Sequence, residues 1–162
     1  MSSDNVTPFR RPPPRPVRPQ QSGGMGFKTH RGKAVLVHVL VLACFIVPFL
    51  IGGQLGSFVS LGIAIAAGVI AYSSRVDTTP WAATHHEQAL RTLTIAFVVI
   101  TLLSLPTFVM SRDWPADITM TIVSVMFWGR VIVSLWAGVR SLVGLVLASM
   151  RRAVANPTGL LI

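Results

Sequence analysis

The chain has 162 residues, of which 52% are hydrophobic and 12% charged, about half the charged content of an ordinary soluble domain. With a mean hydropathy of +0.65 and the apolar residues gathered into runs, this composition argues against a soluble enzyme and for an integral membrane protein. Fourteen Lys and Arg against five Asp and Glu give a formal net charge of +9, a balance that favours anionic lipid surfaces or acidic partners.

Residues 1–33 carry Arg10, Arg11, Arg15, Arg18, Lys28, Arg31 and Lys33 against one acid, Asp4. Pro and Gly recur throughout, and the composition predicts a disordered basic tail on the cytoplasmic side. Pro13, Pro16 and Pro19 follow the three-residue period of a polyproline II helix, a geometry that docks into aromatic grooves. A stiff basic tether near the bilayer is the simpler reading. A cleavable secretory signal is not expected, because the apolar stretch begins late and lacks a small-residue cleavage site.

Residues 34–52 hold no formal charge over 19 positions; at 1.5 Å per residue they reach about 28 Å, close to the hydrocarbon thickness. This predicts a first span, kinked near its end by Pro48. The second, residues 55–72, follows at once, so the two form a tight hairpin with an uncharged turn at Gly53 and Gln54. Gly52, Gly56, Ser60, Ala64 and Gly68 recur at every fourth position and predict a small-residue face for close helix packing. The polar segment 73–91 follows. Thr79 reads as a helix cap, Pro80 as the first helical residue and Trp81 as an interfacial side chain, giving a short interfacial helix that runs into a third span, 92–110. A polar turn precedes the fourth span, 118–139. Residues 140–152 either prolong that helix or bend into the interface, and Asn156-Pro157 ends helix propagation before a C-terminal tail, 153–162. The expected fold is all-α, polytopic, with four transmembrane helices as two hairpins.

Twelve of the fourteen basic residues fall on one side of this topology, which places both termini in the cytoplasm by the positive-inside rule.

Arg130 stands out because a charge at mid-helix costs about 2.5–3.5 kcal/mol on insertion scales and no acid lies within a span to pair with it. Counted from Asp117, it lies about 20 Å deep, where it snorkels or makes an internal polar contact, or makes a functional contact with a lipid phosphate, substrate or partner acid. One cysteine, Cys44, excludes an internal disulfide. Cys44 with His30, His38, His85 and His86 lacks any zinc-ligand spacing. A haem between helices needs a second His at the depth of His38, and His85 and His86 are expected in the interior segment instead, so neither cofactor nor metal is expected. His85-His86-Glu87 is too scattered around a helix to form an acid/base site, and no catalytic residues are assigned. The basic tail lacks interleaved aromatics, so nucleic acid is not an expected partner.

The stretches 85–92, 136–145 and 156–160 resemble an uncharacterised proteobacterial family of four-helix inner-membrane proteins. In that family a His precedes an Arg-Thr pair opening the third helix, a Trp, an Arg and a Gly-Leu space out the end of the fourth, and an Asn/Asp-Pro lies near the C-terminus. His85, Arg91, Thr92, Trp136, Arg140, Gly144, Leu145, Asn156 and Pro157 stand in those places here; the family's Gln four residues after the His is Ala89, with Gln88 one place early. The likeness covers roughly residues 34 to 162. More remotely, the architecture is similar to the chloroplast inner-envelope import component and its bacterial relatives. The resemblance implies residence in the bacterial inner membrane and no assigned reaction. It adds weight to Arg91 and Arg140 as contacts for anionic lipid or a partner, with His85, Arg151 and Arg152 as further candidates.

The expected function is therefore a non-enzymatic accessory or assembly subunit of a membrane complex, binding partner helices, self or anionic lipid. A small transporter or channel component using Arg130, with Pro48 and Pro106 as helix breaks, is the alternative.

Overall fold

A backbone removed from water must satisfy its own amides, so the long charge-free runs of this chain have helix as their solution. The computed structural model describes residues 26, 29–76, 79–110 and 114–160. These form α1 (His30–Ile51), α2 (Gly53–Ser74), α3 (Pro80–Ser104), the single turn α4 (Pro106–Val109) and α5 (Ala116–Ser149), with no strand among the described residues. The proline-rich stretch through Pro19 and the residues Asp77, Arg112 and Asp113 lie outside the described residues. Four helices are long and apolar enough to cross a membrane: α1, α2, α3 together with α4, and α5.

Thr29 caps α1, its hydroxyl accepting from the Gly32 amide at 3.0 Å. The helix continues through Pro48, whose missing N–H leaves the Cys44 carbonyl without its intrahelical donor. The Ser60 hydroxyl of α2 donates to that carbonyl instead. Gly56 lies beneath the proline, where a Cβ would stand 3.3 Å from the Pro48 Cα. Two consecutive glycines with positive φ, Gly52 at 69° and Gly53 at 58°, turn the chain from α1 into α2. Gln54, expected in the turn, is already helical.

Not every residue of the expected small-residue face contributes. Gly56 is buried and Ser60 makes its bond, but Gly68 faces open space. Four residues turn a helix by about 400°, so a strict four-residue repeat drifts about 40° per step. Ala67, Ala71 and Ser74 take over as the buried line, and Ala67 and Ala71 join Val37, Val41 and Ala89 in the apolar core.

Thr79 and Pro80 open α3 as cap position and first residue, although the Thr79 side chain makes no capping bond. From Pro80 the helix runs unbroken to Ser104, so the polar segment and the apolar stretch after it are one element. It is interrupted at Leu105, because Pro106 cannot donate to the preceding turn. α5 is continuous for 34 residues, about 51 Å, through residues 140–149.

α1 packs against α2, α5 and α3, while α5 packs against α1 and α3. His38 on α1 meets His85 on α3 and Gly144 on α5; Thr92 meets Arg140, and Leu103 meets Gly129. Fourteen residues separate His38 from Gly52 and Gly144 from Arg130, about 21 Å in each case. Arg130 thus comes level with the α1–α2 turn and the end of α3.

Candidate functional site

α3 and α5 each bring polar side chains to their contact face at helical spacing: His85, Gln88 and Thr92 on α3, Arg140 and Ser141 on α5. With His38 of α1 and His86 they are all at most 2% exposed.

Burial of a guanidinium is costly unless its donors are bonded. Arg140 donates through Nε to the Thr92 hydroxyl at 2.9 Å and through Nη2 to the Pro157 carbonyl at 3.1 Å, and its guanidinium lies 5.8 Å from the Trp136 ring centre. Thr92 donates in turn to the Gln88 carbonyl at 2.7 Å, and the Gln88 amide donates to the Arg140 carbonyl at 3.3 Å. The network ties α3 to α5 in both directions.

Histidine protons follow from the partners. His85 Nε2 faces the Arg152 carbonyl at 2.8 Å and must carry the hydrogen. In the neutral ring its Nδ1 is then an acceptor, so His38 Nε2, 3.1 Å away, donates to it. The polarity runs from α1 through α3 to the C-terminal segment. Gly144 makes this possible: a Cβ there would stand 2.6 Å from His38 Nε2. Trp81 closes over His85 with an edge contact at 5.9 Å. Among the described residues, His38 Nδ1, both nitrogens of His86 and Gln88 Oε1 have no hydrogen-bond partner.

The last described residues form a strap. α5 ends in a Schellman turn: the Arg152 amide donates to Leu147 at 2.9 Å and the Arg151 amide to Ala148 at 3.1 Å. Arg151 sits where glycine is usual, with φ 56°, a conformation costing about 1–2 kcal/mol for an ordinary residue. From there the chain turns back along α3 and α5. Val154 donates to the Thr84 hydroxyl at 3.0 Å. Arg91 donates to the Thr158 carbonyl at 3.2 Å, and Trp136 Nε1 to the Leu160 carbonyl at 3.0 Å. On the other side, Arg31 of α1 donates to the Ser149 carbonyl at 2.6 Å and so caps the negative end of α5.

Several expected sites stand elsewhere. His38 and His85, assigned to separate depths, touch; the nitrogens at the contact are committed to each other. His85 and Arg140, expected at a lipid or partner surface, are buried and bonded to the chain itself, because both face an adjoining helix. Glu87 turns away from its histidine neighbours to pair with Arg91 at 2.9 Å, so His85-His86-Glu87 does not assemble. Arg91, Arg151 and Arg152 are exposed. Arg130 is exposed too, and donates to the Ser104 hydroxyl at 2.8 Å, a contact between α5 and α3 across 26 residues of sequence. Among the described residues no three His, Cys, Asp or Glu side chains group as a metal site.

Sequence reasoning missed Thr84, Gln88 and Thr92 as network members and missed the strap. Their signal is the spacing 85, 88, 92, one helix face, facing 140, 141 and 144. His85, Arg91, Thr92, Trp136, Arg140 and Pro157, singled out together from the sequence, all converge on that network and the strap. No family model, curated protein or solved structure matches the chain.

Proposed function

We propose that the chain is a non-enzymatic integral protein of the bacterial inner membrane, with two helical hairpins and both termini cytoplasmic, acting as an accessory or assembly subunit that binds partner helices and anionic lipid. The resemblance to four-helix inner-membrane proteins belongs to this reading, as does an interfacial position for the first turns of α3. The supporting observation is how the polar groups are used. The buried network bonds within the chain, side chain to side chain and to its own backbone, whereas the grooves between α3, α4 and α5 are mostly apolar. One, of about 400 Å³, is lined by Val99, Leu102, Leu103, Pro106, Ile122 and Val125. Beside it Phe108, Met120, Phe127 and Trp128 are more than half exposed. Such a surface suits lipid tails or other helices, where association rests on packing. Exposed Arg91, Arg151 and Arg152 are the candidates for anionic headgroups.

Crosslinking in native membranes, followed by identification of neighbours, tests this. The expected result is a recurrent partner subunit, or the chain itself, joined through α3–α5. A protein that runs as a lone monomer with neither protein nor lipid bound overturns it.

A second reading, a small transporter or channel component, draws on Arg130 beside the α3 break at Leu105–Pro106. Solute flux in proteoliposomes that is lost in Arg130→Leu would establish it over the first.

A further inference from the structure

Residues 152–160 pass over α3 and α5 without helix or strand, with a turn at 157–158 that the Gly159 amide closes by donating to the Asn156 carbonyl at 3.3 Å. Five hydrogen bonds between the strap and the two helices are made by main-chain atoms of the strap. The carbonyls of Arg152, Pro157, Thr158 and Leu160 receive His85, Arg140, Arg91 and Trp136, and the Val154 amide reaches Thr84. Val154 is the strap's one buried residue among those described, at 5% exposed. A groove built this way reads the main chain of a segment without helix or strand and one small apolar anchor, the logic of main-chain peptide recognition. Residues 153–160 are uncharged, so they also show which chemistry the groove accepts.

We propose that Thr84, His85, Arg91, Trp136 and Arg140 form a docking groove for a turn-containing peptide segment of a partner protein that is uncharged after its first residue, and that residues 152–160 occupy it in cis as a displaceable strap. The strap leaves α5 at the left-handed Arg151, where rotation about one or two residues lifts it without disturbing the helix. A short tether gives the cis strap a millimolar-range effective concentration, so a free peptide competes poorly. A segment anchored in the same membrane competes well. The groove exists whether or not the chain belongs to a larger complex, so peptide binding by the purified protein and capture of neighbours in membranes fail independently.

The test uses the full-length protein in detergent micelles and a fluorescent peptide with the sequence of residues 152–160, read by anisotropy. In the full chain, Val154→Asp removes the anchor and opens the groove. Thr84→Cys with Val154→Cys, in a Cys44→Ala background, locks it by a disulfide. The open variant is expected to bind the peptide at least ten-fold more tightly than the wild type, because apparent affinity scales with the fraction open. The locked form is expected to bind none until reduced. A peptide carrying the Val154→Asp change should not bind to any form. Equal binding by oxidised and reduced forms of the locked variant, or equal binding of the two peptides, overturns the proposal; the oxidised-reduced comparison stands even if Val154→Asp does not fold.

Discussion

Gly144 shows how little chain is needed to set a contact between three helices. The His38 ring occupies the volume a side chain would take, and from there it donates to His85, which holds the Arg152 carbonyl. Gly144→Ala is expected to lower stability by about 1–3 kcal/mol, the usual cost of forcing an extra carbon into a packed interior, whereas Gly138→Ala on the same helix, with open space around it, should be neutral or stabilising by up to about 1 kcal/mol. Thermal unfolding in detergent separates the two. Arg140→Met removes charged hydrogen bonds to Thr92 and Pro157 and is expected to cost at least about 2 kcal/mol. Faster hydrogen exchange at the Val154 amide would show the strap loosening with it. At this scale the sequence drew attention to Arg130 because a lone charge in an apolar run is conspicuous. It undervalued Thr92, Gln88 and His38, whose importance lies in what faces them from another helix.

Elements were the most legible level. Charge-free runs long enough to cross a bilayer become helices because nothing else satisfies a desolvated backbone, and the Gly pair, Thr79-Pro80 and Pro106 mark boundaries by chemistry local to each. Misplaced were the details that depend on a neighbour. α2 keeps the Gly56–Ser60 contact with Pro48 and Cys44 but turns its later glycine out of the interface, since 3.6 residues per turn do not sustain a four-residue repeat. Ala71→Leu, at a fully buried position, is therefore expected to disrupt packing of α2 on α1 and α3 and to lower the unfolding temperature. Gly68→Leu, facing open space, should leave that temperature unchanged or raise it. The reverse order would restore the full four-residue face.

Across the whole molecule, buried residues gather at the end containing the N-terminus of α1, the N-terminal half of α3 and the C-terminal half of α5. The first half of α5 buries Met126 alone. The proposed topology puts the packed, basic end in the cytoplasm. An alkaline phosphatase fused after Ile162, active only outside that compartment, is accordingly expected to be silent, and a cytoplasmically active reporter at the same place to be bright. Phosphatase activity there would invert the orientation. By itself the sequence determined the helical class, the number of long apolar helices and the charge asymmetry between their ends, because hydropathy and backbone satisfaction act along the chain. Only the tertiary structure decided that His38 meets His85, that Arg140 is buried and that residues 152–160 fold back over α3 and α5. Those outcomes depend on the relative register of helices, a quantity set by side-chain fit across an interface and carried by no single segment.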